Sequence, residues 1–285
     1  MSIHGMKRSN RMELAKQTVD IVERGSYAAA SGRTVDIAAT VSECRAGTMI
    51  HSPEDLKRLR RKVLTRSVEG LPTTFEVVNE TTLAGIARLV SSGKGTVAAL
   101  NFASAKNPGG GFLNGSQAQE ESLARSSALH ASLLCAWDFY ERHRASPSLL
   151  YSDAMILSPG CSIFRDDSGA LLDEPHLAAF ITSAAPNAGA AANNRPEELA
   201  QIPDVFERRC EYVLALAASQ GYKNLVLGAW GCGVFRNDPE IVAKAFAAHL
   251  RGVWFGRFDH VAFSVLDTSA SQDTFSAFQR AFREE

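Results

Sequence analysis

The most constraining stretch of this chain runs from 96 to 121. Thr96-Val97-Ala98-Ala99-Leu100-Asn101-Phe102 is apolar enough to read as a buried strand. Asn107-Pro108-Gly109-Gly110-Gly111 follows, then a polar spacer, then Gln119-Glu120-Glu121 at the head of a helical pattern. Glycines there let backbone approach a ligand and adopt positive φ. Two carboxylates beside such a loop can do acid–base work on what it holds. Acids at a helix start also suit the macrodipole without any chemistry. Gln119-Glu120-Glu121 alone is therefore a weak signal, and the upstream glycine triplet makes it far more specific.

From 73 onward strands and helices alternate. The pattern predicts strand 75–78, helix 82–90, strand 96–102 and a long helix 119–144 turning Leu123, Leu129, Leu133, Leu134 and Trp137 inward. Strand 155–157, a turn at Asp166-Asp167-Ser168-Gly169 and strand 179–183 come next. Helix 197–220, whose first turn Pro203 can split off, strand 224–227, helix 239–251, strand 261–266 and helix 273–282 complete the series. This order predicts an α/β fold with a largely parallel or mixed sheet and helices on both faces. Both glycine-rich loops leave strands and enter helices, so they belong on one rim, at the carboxyl ends of the strands. The segment 187–195 is low in complexity and predicted as a mobile surface loop.

Residues 1–72 read differently, as an N-terminal helical extension packed on a core of 73–285. The pattern gives helix 9–30 closed by Gly32, and strand 34–37 with Met49-Ile50 as candidate partner. Ser52-Pro53-Glu54-Asp55 then opens a helix with a cap, a proline and two acids. Lys57, Arg58, Arg60, Arg61 and Lys62 make that helix basic, as a solvated face or a docking surface for polyanion would be.

The formal net charge of -1 gives no global pull toward nucleic acid or anionic membrane, so an anionic ligand must be held locally. No apolar run is long enough to cross a bilayer and no signal peptide is visible at Met1, which makes the cytoplasm the default location. Cys44, Cys135, Cys161, Cys210 and Cys232 are scattered and form no CxxC pair, so most read as small buried hydrophobes. The histidines form no HxxxH pattern, and His130 and His249 read as surface or core residues on helices. No metal site and no cofactor is expected.

Gly228-Ala229-Trp230-Gly231-Cys232-Gly233-Val234-Phe235-Arg236-Asn237-Asp238 forms the second loop, with Asn237 or Asp238 capping the next helix. Successive backbone N–H groups at such a turn make an anion nest, and a pyrophosphate matches a run of donors beside a helix end. Phe235 would then wall a sugar or base. A tight turn with Phe235 in the core fits the same residues.

The triplet Gly109-Gly110-Gly111, a seven-residue spacer and Gln119-Glu120-Glu121 resemble the signature of poly(ADP-ribose) glycohydrolases. GAWGCGVFRND resembles the same family's diphosphate loop, and NFASAKNPGGGFLNGSQAQEESLARSS is most similar to the bacterial type, whose core is a macrodomain. The resemblance implies a three-layer α/β/α sandwich with a mixed, largely parallel sheet behind a mainly helical extension. It implies hydrolysis of ribose–ribose O-glycosidic bonds of poly(ADP-ribose), with the polymer and ADP-ribosylated proteins as substrate and ADP-ribose as product. A monomer acting in the DNA damage response is expected, with no nucleic acid or membrane partner.

Carried over by position, the resemblance makes Glu121 the acid–base and has Glu120 hold hydroxyls of the ribose whose bond breaks. Gly109, Gly110 and Gly111 would pack on that ribose and the adjacent phosphate, beside Asn107 and Gln119. Gly231, Cys232, Gly233, Val234 and Phe235 would bind the diphosphate. Glu80, in Val78-Asn79-Glu80-Thr81, would accept from the adenine amino group, with Ser264 to Asp267 as its wall. The family's animal members carry asparagine where Ala229 stands and a tyrosine-bearing clasp that has no match here. A general acid must hold a proton where a helix amino end favours its loss, and substrate phosphates, Glu120 and desolvation would restore it at Glu121. A non-hydrolytic ADP-ribose reader, a mono-ADP-ribosyl hydrolase and a nucleotide-binding enzyme of other chemistry are the rival readings.

Overall fold

The computed structural model describes residues 5–68, 71–93 and 95–283. In chain order it runs α1 (Arg8–Arg24), β1 (Ser26–Ala28), β2 (Thr34–Asp36), α2 (Ala38–Gly47), β3 (Met49–His51), α3 (Pro53–Leu64), β4 (Thr74–Val78), α4 (Thr82–Ser91) and β5 (Val97–Phe102). Next come α5 (Gln119–Ser126), α6 (Leu129–Leu134), α7 (Trp137–Ala145), β6 (Met155–Arg165), β7 (Leu171–Ser183) and α8 (Ala188–Asn194). The chain ends with α9 (Ile202–Ser219), β8 (Asn224–Leu227), α10 (Pro239–Arg251), β9 (His260–Ser264) and α11 (Asp273–Phe282).

Seven strands form one sheet in the order β3-β6-β7-β5-β8-β9-β4. The β7-β5-β8-β9-β4 pairs are parallel, and β3 and β6 join antiparallel at one edge. Alternate residues of β5 serve opposite faces, as the pleat requires: Ala98 and Leu100 pack with α3, α9, α10 and α11, whereas Val97 and Ala99 pack with α2, α4, α5 and α6. That is a three-layer α/β/α sandwich.

Several local expectations are corrected. The first helix stops at Gly25, not Gly32, because Gly25 turns left-handed and its N–H closes on the Ile21 carbonyl. The chain then folds back, and β1, not Met49-Ile50, pairs with β2. Met49–His51 instead becomes an edge strand of the main sheet, beside β6. Ile21, Tyr27, Val35, Val41 and Cys44 share a core with sheet residues, so residues before 72 bury against the rest.

The long helix expected over 119–144 is three helices. Ser127 is extended, its hydroxyl bonds the Leu123 carbonyl, and its backbone bridges to Ile163. A serine hydroxyl competing for the backbone ends α5 there. The resulting turn leaves Leu134 and Trp137 48% and 43% exposed rather than inward. The 187–195 stretch is not an irregular loop: Asn187 caps α8 through the Ala190 N–H. Ser52 and Asp55 form a reciprocal capping box on α3, as its sequence predicts. On α3's basic face, Arg58 pairs with Asp55 and Arg60 with Glu211.

Candidate active site

Both loops leave carboxyl ends of parallel strands and line one cavity of about 680 Å³. Of the sequence-derived set, Glu80, Asn107, Gly110, Gly111, Gln119, Glu120, Glu121, Asp267 and every member of 231–235 border it. Gly109 does not. It faces inward, where a Cβ would meet Phe112, Ala124 and His130. Burial pushes that histidine down to about 4, so it stays neutral beneath the loop.

Gln119 is the joint between sheet and helix. Its Nε2 donates to the Leu100 carbonyl (2.8 Å) and to Thr82 Oγ1 (3.1 Å), and its Oε1 accepts from the Phe102 N–H (2.9 Å). α5 begins with no side-chain cap, so the two carboxylates occupy its first turn directly. Glu121 accepts from the Gly111 N–H through Oε1 at 3.0 Å. Among the described residues its Oε2 has no protein partner. Gly110, at φ 60, is required to be glycine: a Cβ would lie 2.9 Å from Glu121 Cδ and nearer still to Oε1.

Glu120 is the opposite case, almost wholly buried. It accepts from the Ser104 N–H (2.6 Å) and Asn101 Nδ2 (3.1 Å). Burial pushes its carboxyl up to about 8, against the pull of Ser104, Asn101 and Gly109, and the Glu121 charge adds to the rise. Burial therefore favours the protonated form of Glu120, one residue before Glu121.

Across the cavity, Trp230 is fully buried and donates to the Ser183 carbonyl at 3.1 Å. Asn237 closes the second loop from beneath, its Nδ2 donating to the carbonyls of Pro186 (2.8 Å) and Gly231 (3.0 Å). Among the described residues, the N–H groups of Gly233, Val234 and Phe235 take no protein acceptor. Three neighbouring free donors form a nest for anionic oxygens. The adjacent helix end contributes less than its sequence suggests, because Asp238, the N-cap of α10, fills it by accepting from the Glu240 N–H. Phe235 sits half-buried against Tyr151, with ring centroids 6.2 Å apart, and its carbonyl accepts from Gly189 in α8.

At the far end, Glu80 already accepts from Ser264 Oγ (3.0 Å) and Arg88 Nη2 (2.7 Å). Asn79 and the Asp267 backbone exchange two hydrogen bonds, tying the two walls together. The Asp267 carboxylate caps α11 through the Thr274 and Phe275 N–H groups. Residues missed from sequence are Asn101, Ser104 and Tyr151, and Asn237, read there as a candidate helix cap, braces the loop instead while Asp238 is the cap. Asn101 alone had a signal: it is the one polar side chain inside an apolar strand.

A three-layer sheet whose rim sets two carboxylates opposite an open amide nest defines an enzyme of macrodomain-like architecture. The family model for the catalytic domain of microbial-type PARG matches residues 15–166. The solved poly(ADP-ribose) glycohydrolase of Thermomonospora curvata is 48% identical, with a TM-score of 0.92, over 96% of this chain and 100% of that one. The same enzyme bound to the inhibitor ADP-HPD is 47% identical at a TM-score of 0.90, over 96% and 100% of the two chains. The Deinococcus radiodurans enzyme in complex with ADP-ribose is 47% identical at a TM-score of 0.80, over 85% of this chain and 96% of that one. No curated protein matches. The chain belongs to the microbial-type poly(ADP-ribose) glycohydrolase family.

Proposed function

We propose that this chain hydrolyses the ribose–ribose O-glycosidic bonds of poly(ADP-ribose) and releases ADP-ribose, with Glu121 as general acid and base. The observation that carries this reading is the cavity itself, with Glu121 tethered by the Gly111 N–H on one wall and three free amides on the other. The amides of 233–235 bind the diphosphate, while Gly110 and Gly111 lie against the ribose to be cleaved. Asn107 and Cys232 line its flanks, and Phe235 braces the terminal ribose. Glu80 and Asp267 border the adenine end.

Glu121 Oε2 donates a proton to the leaving oxygen as the glycosidic C–O bond breaks, an oxocarbenium-like sugar forms beside the diphosphate, and the same carboxylate then takes a proton from the water whose oxygen bonds the anomeric carbon. Ordinary glycosidases divide these tasks between carboxylates on opposite sides of the bond. Glu120 and Glu121 are adjacent, so one works and one positions. Glu120, buried and held by the Ser104 N–H and Asn101 Nδ2, is the ribose-positioning group. The scheme uses no metal or cofactor.

We read residues 1–72 as an extension on a catalytic core of 73–285. The protein acts as a monomer in the cytoplasm, in the response to DNA damage, on polymer and ADP-ribosylated proteins, with no nucleic acid or membrane partner. The resemblance and the near-neutral charge support that setting. Incubation with polymer, with released ADP-ribose as readout, tests the reaction. Glu121→Gln is expected to keep ADP-ribose binding and lose turnover by about 10³-fold or more, within the span of general acid–base contributions. Retained turnover, or no ADP-ribose from the unaltered protein, would overturn the reading.

A further inference from the structure

The spacer between glycine triplet and carboxylates has a floor, and α1 supplies it. Arg8 Nε donates to the Asn114 carbonyl at 2.8 Å. Arg11 Nε donates to the Gly115 carbonyl at 2.8 Å. Arg125, fully buried in α5, donates to the Ser116 carbonyl at 2.7 Å and also reaches Gln117 Oε1. Three consecutive carbonyls are thus each held by a guanidinium. None of these arginines makes an ion pair with a carboxylate among the described residues. Their donors go to the loop, Arg11 also reaching the Met6 carbonyl, and charge-assisted hydrogen bonds are the stronger sort.

The fit is close. Gly115 lies at φ 73, and a Cβ there would fall 2.6 Å from the Arg8 carbonyl and 2.9 Å from Met12 Cγ. The path from this floor to the carboxylate is short. The Asn114 and Ser116 N–H groups both donate to the Gly111 carbonyl, at 3.0 and 3.1 Å. Gly111 in turn donates its own N–H to Glu121.

We propose that α1 is a working part of the active site, in which Arg8 and Arg11, with Arg125, clamp the spacer and so position Glu121 through Gly111. Arg8 and Arg11 are positioning residues that never touch substrate. The clamp gives residues before 72 a task in the reaction, and it rests on the role proposed for Glu121.

The test compares the full-length protein with the Arg8→Ala/Arg11→Ala double variant. Calorimetry with ADP-ribose counts binding sites and gives Kd, and polymer turnover is then expressed as kcat per site. The expected result is a Kd within about 3-fold and a kcat per site lowered about 10-fold or more, since small misplacements of a catalytic group are costly. Lysine at both positions, offering single donors without the planar fork, is expected to recover part of the loss. Ile21→Ala, in the core-facing part of α1, is the stability control: the melting temperature falls and kcat per site holds. Should the double variant not fold, Arg8→Ala at an exposed position still lowers kcat per site by about 3-fold. A kcat per site within 2-fold of the unaltered protein, or an equal loss in Ile21→Ala, overturns the clamp. Absence of turnover in the unaltered protein strikes down the hydrolase reading and the clamp together.

Discussion

The loop before Glu121 and the loop before α10 share glycines, a strand exit and a helix entry, yet protein atoms fill the first and leave the second open. In the first, Gly110 and Gly111 have no room for a side chain because Glu121 and Ser116 already occupy it. In the second, Gly231 is closed in by Ala185 and Asn237, but Gly233 has nothing within 4 Å and Val234 is 76% exposed. One loop is set before substrate arrives, as a catalytic group needs. The other is braced only underneath, and its upper face waits for oxygens it does not itself supply.

Gly110→Ala forces a Cβ into the Glu121 carboxylate at positive φ, so kcat is expected to fall about 10²-fold while ADP-ribose binding weakens far less. Equal losses in both would mean the first loop binds rather than positions. Asn237→Ala strips donors from two carbonyls under the second loop. It is expected to cost about 1–3 kcal/mol, a melting-temperature drop of several degrees by thermal scan, with weaker ADP-ribose binding and kcat nearly kept.

Glu120 sharpens the comparison through pH. Its folded pKa, about 8, lies above its unfolded value, so the folded state holds the extra proton between the two. Stability from this group is full below about 4.3 and is lost as pH rises through about 8. The melting temperature should therefore fall from pH 5 to pH 8, and Glu120→Gln should flatten that slope. A slope unchanged by the substitution would mean the buried carboxyl is not the titrating group. The smallest effect on stability is expected for Gly233→Ala, whose Cβ meets open space: the melting temperature holds within a degree or so while ADP-ribose binding weakens several-fold.

Much of this was legible in the sequence because the features are local. Glycines between a strand and a helix, with acids after them, leave few placements once strands alternate with helices. Both loops came to one rim, and Gln119, Glu120 and Glu121 border the same cavity. Features set by partners distant in sequence were not legible. Met49–His51 joins β6 across about a hundred residues, and the extended Ser127 that ends α5 is bridged to Ile163, 36 positions on. The upward push on the Glu120 carboxyl is likewise a tertiary effect. A helix start favours a charged carboxylate, and burial against β5 opposes that at Glu120. Arg8 and Arg11 carried no signal, since nothing in spacing announces that their partners are carbonyls at 114 and 115.

The central claim is that one carboxylate and one amide nest grip two parts of the same ligand. A crystal structure of Glu121→Gln with ADP-ribose tests it most directly. The diphosphate is expected on the amides of 233–235, with the distal ribose within about 3 Å of the residue 121 side chain. A distal ribose turned out of the cavity, away from residue 121, would contradict it.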